Sequence, residues 1–563
     1  MSLSPLGLPP APPAELDRYR SHGVISRDDV AAVRMFVEMA DRDGAGAPGL
    51  LAWLGMCLAM RTVRDGHTCV DFDRIIEWAA SLDLRAADAP SWPSGPAVWL
   101  RELVAADRLV GPPGSRRPFL LDATRLYLGR SYDEEASIAE AIRSRAQHSR
   151  IRILLGGPGT GKTTKVARDL VAFLSSLPPD SPHPRIALAA PTGKAAARMT
   201  EVLQQRCQEA GGSEAVVALV TAEPARTVHK LLGYSPFRTN RYQYHARHPL
   251  PYDMVIVDEA SMLSSSLMHH LLDAVHPEAE VRLVGDPDQL ASVDAGTVLG
   301  DLALFADSAH ASTVLHPQIE SLTTIHRAEA AEIIALAAAV RDGDVNAALE
   351  VLQSGSSAVT WVDPATRSSL DGVVAEVVGH AALLRDAARR RDPAKLLATK
   401  SQLQVLCGHR DGGMGVAGWN ARIEKRLAVS PSDPWYPGRP VMITRNSKAL
   451  GLANGDVGVV LPVGKRMEAV FGAVGQPSSV PVTRLEHVAT VHALTIHKSQ
   501  GSEYDHAVVV LPDEPSRIVT RELLYTGMTR ARRRVTLVGS REVIEAAIRT
   551  PIRRATGLAQ RLA

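Results

Sequence analysis

Apolar positions change period along this chain. After a proline-rich start they recur at helical spacing up to about residue 125, as in Asp71 to Leu82 and Pro96 to Leu109. This predicts an N-terminal helical domain over 1–125, in which the apolar run Leu50–Met60 is a buried helix too short to span a bilayer. From Ile151 onward, short β-rich runs alternate with helical patterns: Ile186–Ala190, Met254–Val257 and Val281–Val284, then Val405–Cys407, Ala507–Leu511 and Val535–Val538. Strands alternating with helices predict parallel sheets with crossover connections, and the runs fall into two groups. The fold class is therefore α/β, with domains expected at 126–335 and 336–563. Between the later strands, Trp435 to Leu461 carries an alternating stretch, Gly451 and an Asn454-Gly455 turn, which predicts a small antiparallel insertion over 436–490.

Composition narrows the setting more than the chemistry. A chain of 563 residues, 45% hydrophobic, can build several cores, and a net charge of only +2 confines any polyanion site to local features. The N-terminal segment lacks the basic and apolar regions of a signal peptide, and Cys57, Cys69, Cys207 and Cys407 have no metal spacing. A cytoplasmic protein with reduced cysteines and no membrane span is expected.

The chemistry begins after the apolar run Ile151–Leu155, where GGPGTGKT occupies Gly156, Gly157, Pro158, Gly159, Thr160, Gly161, Lys162 and Thr163. Glycines let successive N–H groups turn toward phosphates, Lys162 reaches the β and γ oxygens, and the Thr163 hydroxyl ligates Mg²⁺. Apolar residues at Val166, Leu170, Leu174 and Leu177 predict a following helix, so Thr164 also lies in the first turn at the positive end of its dipole. A second landmark, MVIVDEASM from Met254 to Met262, is a buried strand ending in two carboxylates. Asp258 suits Mg²⁺ and Glu259 suits polarising the attacking water, although a strand followed by Asp-Glu also suits a capped turn. In a third block, Leu283 to Gly296, Gln289 could hydrogen-bond the γ-phosphate or its attacking water.

These blocks, with APTGKAAARM (190–199), TVHKLLG (227–233), TTIHR (323–327), LTIHKSQGSEYD (494–505) and LLYTGMTRARRRVTLVG (523–539), resemble the ordered motifs of superfamily 1 helicases. Within that group, Gly413–Glu424 and Gly438–Val460 resemble the RecD family, the alpha subunits of exodeoxyribonuclease V, RecBCD. The resemblance implies two RecA-like parallel-sheet motor domains and an SH3-like character for the β insertion. It implies that Arg327 and Arg530 are arginine fingers, and that Gly501 and Glu503 touch the nucleotide from the second domain. It points to DNA contacts at Thr192, Gly193, Lys194, Thr227 and His229 in one core domain and at Thr495, His497 and Lys498 in the other. The expected cofactors are ATP and Mg²⁺, and the expected activity is ATP-dependent 5′-to-3′ DNA unwinding at double-strand breaks. The expected partners are RecB-like and RecC-like subunits, docked on the N-terminal domain, together with single-stranded and duplex-end DNA.

Where such helicases insert a hairpin, residues 234–250 interleave Arg238, Arg241 and Arg247 with Tyr242, Tyr244 and His245. Stacking plus phosphate attraction makes this a candidate pin at the point of strand separation, against a plain solvated hairpin. Two departures stand out: His326 takes the place of an aromatic before Arg327, and no clear adenine-reading glutamine precedes the phosphate loop. No nuclease constellation is visible, so cutting is assigned to a partner subunit. An RNA-directed helicase and a scaffold without motor action are the alternatives.

Overall fold

The computed structural model describes residues 11–41, 48–81, 90–93, 95–178, 181–237, 241–310, 312–324, 331–430, 432–473 and 476–563. The expectations for Arg327 and His326, and for Arg238 in the pin segment, lie outside the described residues.

Both groups of β-rich runs form parallel sheets. The first has six strands in the order Ile319–Leu322, Ile151–Gly156, Glu280–Gly285, Met254–Val257, Ile186–Ala190 and Arg226–Thr227. Its strands read as continuous apolar runs because helices cover both faces. Ile151, Ile153 and Leu155 point into one core with the helix Gly129–Gln147, whereas Leu154 points into another with the helices Lys162–Ser175 and Gly193–Glu209. The second sheet has five strands in the order Val359–Val362, Ala531–Val538, Tyr504–Val510, Leu403–Cys407 and Ala493–Thr495, also parallel throughout. Val509 and Leu537 bury on one face, Val508 and Val538 on the other.

The insertion is a separate five-stranded antiparallel sheet in the order Gln476–Pro481, Arg466–Ala473, Val457–Val463, Pro440–Ile443 and Val488–Thr490. Gly455, at φ 95°, supplies the left-handed residue of the Asn454-Gly455 turn that leads into Val457–Val463.

The N-terminal region is helical, with Leu50–Arg64 and Pro96–Ala105 closing over Trp53, Trp99 and Phe72. It also carries a four-stranded sheet, Cys69–Asp71, Arg125–Leu128, Phe119–Asp122 and Val110–Gly111, which the sequence reading did not anticipate. Strands this short show too little alternation to be separated from loops. All four cysteines are free and buried. No helix among the described residues is long and apolar enough to cross a membrane.

One expectation changes. The end of the chain was assigned with the second α/β domain, yet the helix Leu558–Leu562 leaves that half and packs into the core of the first. Leu558 and Leu562 find their burial beside Ile138 and Ile142 there. Within 234–250, on either side of the undescribed 238–240, Ser235 N donates to the Arg241 carbonyl at 2.7 Å, and an isolated antiparallel bridge joins His245 and His248. The Tyr242 and Tyr244 rings pack against the first core.

Candidate active site

The strand Ile151–Gly156 ends in the glycine loop, and the helix Lys162–Ser175 leaves it. Gly159 and Gly161 sit at φ 80° and 83°, a left-handed geometry that turns the intervening N–H groups toward one point. The loop is crowded from behind: a Cβ on Gly156 would lie 2.6 Å from Thr160 Oγ1, and one on Gly157 would lie 2.9 Å from the Tyr525 hydroxyl. Lys162 Nζ is held over the loop, donating to the carbonyl of Gly157 at 3.0 Å and to that of Gly156. Thr163 and Thr164 occupy the first helical turn.

Two strands along the sheet, beyond Glu280–Gly285, the wholly buried strand Met254–Val257 delivers Asp258 and Glu259. Glu259 adopts φ 52°, and its N–H donates to Asp258 Oδ1 at 2.8 Å. Burial, reinforced by the Glu259 charge and opposed by Lys162 and Arg198, lifts the Asp258 carboxyl to about 6. Two carboxylates crowded at a strand end, beside a glycine loop and the Thr163 hydroxyl, form a donor set that fits a hard divalent cation.

The third strand, Glu280–Gly285, places Asp286 at 1% exposure. Its Oδ2 accepts from Gln289 Nε2 at 3.0 Å and from the Tyr525 hydroxyl at 3.2 Å. Burial raises the Asp286 carboxyl, and the Lys162 charge partly offsets the effect. Gln289 Oε1 in turn accepts from the Arg530 guanidinium at 2.6 Å. Arg530 is 4% exposed and also donates to the Thr526 carbonyl at 3.1 Å. Leu290 N donates to Thr526 Oγ1 at 2.9 Å, and Gln500 Nε2 donates to the Leu290 carbonyl at 3.1 Å. The loop after the third strand is thus read by side chains of the second half, and Arg530 faces the seam. A cavity of about 390 Å³ opens beside it, lined by Gly157, Pro158 and Thr323 from one side and by Ala337, Arg341, Tyr525 and Arg532 from the other.

Glu503 also spans the seam, pairing with Arg198 of the first half at 2.6 Å and with Arg532 at 3.2 Å. Gly501, at φ 73°, approaches Ala195 so closely that a Cβ would lie 3.3 Å from the alanine methyl.

The residues expected to meet DNA are placed unevenly. The Thr192 and Thr227 hydroxyls cap helices, accepting from Ala195 N and Lys230 N at 3.2 Å each. Gly193 abuts Ala453 of the insertion, and Lys194 Nζ crosses to donate to Ser502 Oγ. Burial, with Lys400 and Arg198 nearby and Asp456 opposing, brings the Lys194 amine down to about 7. His229 joins Tyr234 and Tyr242 in a ring cluster, Tyr242 lies 4.3 Å from His270, and Tyr244 stacks on His248 at 5.1 Å. In the second half Thr495 is 9% exposed, while His497 and Lys498 lie on the turn Ile496–Ser499. Both of those side chains have their pKa lowered by burial and by Arg410.

Sequence reasoning missed Asp286, Tyr525, Thr526, Gln500 and Arg198, although each stood inside a motif already singled out or beside one. Their signal was the motif itself. What was absent was any indication that they meet one another.

A phosphate loop on one parallel sheet, answered across a seam by a buried arginine from a second, defines a superfamily 1 helicase motor. Comparison with known proteins agrees. Family models match an AAA domain at residues 136–363, a UvrD-like helicase C-terminal domain at 490–538, and the N-terminal domain of RecBCD enzyme subunit RecD at 21–127. RecBCD enzyme subunit RecD of Mycolicibacterium smegmatis is 38% identical over 571 residues, covering 96% of this chain and 98% of that protein. Its Mycobacterium tuberculosis counterpart is 38% identical over 586 residues, covering 97% and 96%. The ATP-dependent RecD2 DNA helicase of Deinococcus radiodurans is 34% identical over 439 residues, covering 76% of this chain and 52% of that protein. The chain belongs to the RecD family, and it is an ATP-dependent DNA helicase; the RNA-directed and scaffold alternatives are not favoured.

Proposed function

We propose that the chain is the 5′-to-3′ motor of a RecBCD-type complex, acting in the cytoplasm at double-strand breaks with RecB-like and RecC-like partners. The observation that carries this reading is the seam itself, where Asp286, Gln289, Tyr525 and Arg530 form one hydrogen-bonded chain linking the two halves. In this reading the loop 156–164 and Lys162 grip the triphosphate, with Gly501 and Glu503 completing its site from the second half. Thr163 and Asp258 would hold Mg²⁺, which would supply charge neutralisation to the triphosphate.

Glu259 takes a proton from the attacking water as its oxygen bonds to the γ-phosphorus, and the bond from that phosphorus to the β–γ bridging oxygen breaks. Lys162, Arg530 and, by resemblance, Arg327 stabilise the charge that develops on the transferring group. Loss of the γ-phosphate removes the ligand shared by the two halves, so they separate. Single-stranded DNA lying across both halves, at Thr192 to Lys194, Thr227 and His229 on one and Thr495, His497 and Lys498 on the other, is then advanced by alternating grip.

Residues 1–125 are the partner-docking region, 126–335 and 336 onward the two motor domains, and 436–490 an SH3-like insert. Tyr242 and Tyr244 offer half-buried ring edges toward the point of strand separation. The test is unwinding of 5′-tailed and 3′-tailed duplexes by the full chain, alone and with its partners. Unwinding from the 5′ tail that disappears in Lys162→Ala supports the reading. Unwinding from the 3′ tail alone, or unwinding indifferent to Lys162→Ala, overturns it.

A further inference from the structure

The loop that carries Gln289 is held at both of its ends. One end meets the second half through Leu290 and Thr526 at 2.9 Å. The other end, Ser292 to Gly296, is held by Arg554 from the tail that returns to the first half. The Arg554 guanidinium donates to the carbonyls of Ser292, Asp294 and Gly296, at 2.5, 2.9 and 2.8 Å. A planar fork can satisfy three carbonyls of one turn together, which a point-charge ammonium cannot.

The same arginine is pressed by the N-terminal region. Gly66, at φ 89°, lies so close that a Cβ there would stand 2.8 Å from Arg554 Cζ. The Gly66 carbonyl accepts from Gly296 N at 2.9 Å. Next to it the tail is clasped: Thr68 N donates to the Ala555 carbonyl at 3.0 Å, and Ala555 N donates to His67 Nδ1 at 2.8 Å. Beyond the clasp, Thr556 donates to Asp301 at 3.0 Å and Gly557 N to Glu135 at 3.1 Å, which fixes the tail to the first half. Three parts of the chain distant in sequence therefore converge on one turn, and that turn continues directly into Gln289.

We propose that Arg554 is a positioning residue for ATP hydrolysis: it fixes the far end of the 286–296 loop so that Gln289 stays against Arg530, and it makes that loop sensitive to the N-terminal region. The proposal rests on the reading of Gln289 as a γ-phosphate-side group. A fixed loop costs nothing to organise at the moment of reaction, whereas a loose one must be ordered each cycle.

The test uses the full chain with single-stranded DNA and measures the kcat and KM for ATP, with the stoichiometry of a fluorescent ATP analogue counting intact sites. Arg554→Ala is expected to lower kcat per bound site about five- to tenfold with KM little changed, and Arg554→Lys to recover part of the loss. Gly66→Ala, which pushes on the guanidinium from the N-terminal side while leaving the tail sequence unchanged, is expected to slow hydrolysis in the same sense. Wild-type kcat per site in Arg554→Ala overturns the proposal, as does a loss explained wholly by fewer binding sites. Gln289→Ala separates the two layers. Undiminished hydrolysis in that variant defeats the reading of Gln289, whereas slow Gln289→Ala beside normal Arg554→Ala defeats only the role given to Arg554.

Discussion

Two of the junctions that join the motor halves among the described residues are built from different materials. At the seam the contacts are single side-chain hydrogen bonds in series, from Tyr525 to Asp286 to Gln289 to Arg530, beside a cavity of about 390 Å³. At the tail the junction is a core: Leu558 and Leu562 are 0% and 4% exposed among residues of the first half, and Arg561 pairs with Asp122 at 3.0 Å. Directional polar contacts have discrete made and unmade states that a ligand can bias, whereas buried apolar surface is lost only at large cost. One junction is suited to opening in each cycle and the other to lasting through it.

That contrast predicts a dissociation between rate and stability. The largest effect belongs to Lys162→Ala, which should reduce ATP hydrolysis about a thousandfold, as loss of a main charge-stabilising donor does, with no change in urea midpoint. Comparable hydrolysis in the variant would remove the nucleotide from the seam altogether. Leu558→Ala should act in the opposite sense, lowering stability by about 3 kcal/mol in urea titrations while nucleotide affinity stays as in the parent. A smaller rate effect is expected from Tyr525→Phe, which deletes the hydroxyl bonded to Asp286 and keeps the ring. Hydrolysis should slow up to about tenfold, the worth of one ordinary hydrogen bond, and a stability change without a rate change would make Tyr525 merely structural.

The smallest effect sharpens the tail side. Burial, with Glu135 adding and Thr556 and Thr297 opposing, pushes the Asp301 carboxyl from 3.8 up to about 7. A raised carboxyl favours the protonated folded state, so its contribution is full below the unfolded value and is lost as pH rises through 7. Asp301→Asn keeps the acceptor for Thr556 and abolishes that titration. Its stability relative to the parent should therefore be greater at about pH 8 than at about pH 5 in urea titrations; equal differences at both would refute the assignment.

How much was legible in the sequence follows from how local each feature is. The phosphate loop and the carboxylate-tipped strand could be read because each is a contiguous run whose chemistry and backbone demands coincide. Both parallel sheets showed as alternating strands and helices because their inner strands are largely apolar. Asp286 and Tyr525 were different. They are 239 positions apart, and no spacing reports a hydrogen bond over that separation. The tail helix Leu558–Leu562 has too few residues for a period to show, and its partners lie in Gly129–Gln147 of the first half. Arg554 drew no reading from the sequence, because nothing in its neighbourhood there reports the Ser292 to Gly296 carbonyls that the fold places around it.

In the proposed mechanism an arginine of the second half completes a catalytic site whose binding groups belong to the first. Single-turnover hydrolysis by Arg530→Ala, measured together with ATP affinity, separates the two contributions. Affinity should be little changed and hydrolysis slowed about a thousandfold, the range for a lost arginine finger. Hydrolysis at the parent rate with ATP bound, or an equal loss of binding and rate, would contradict it.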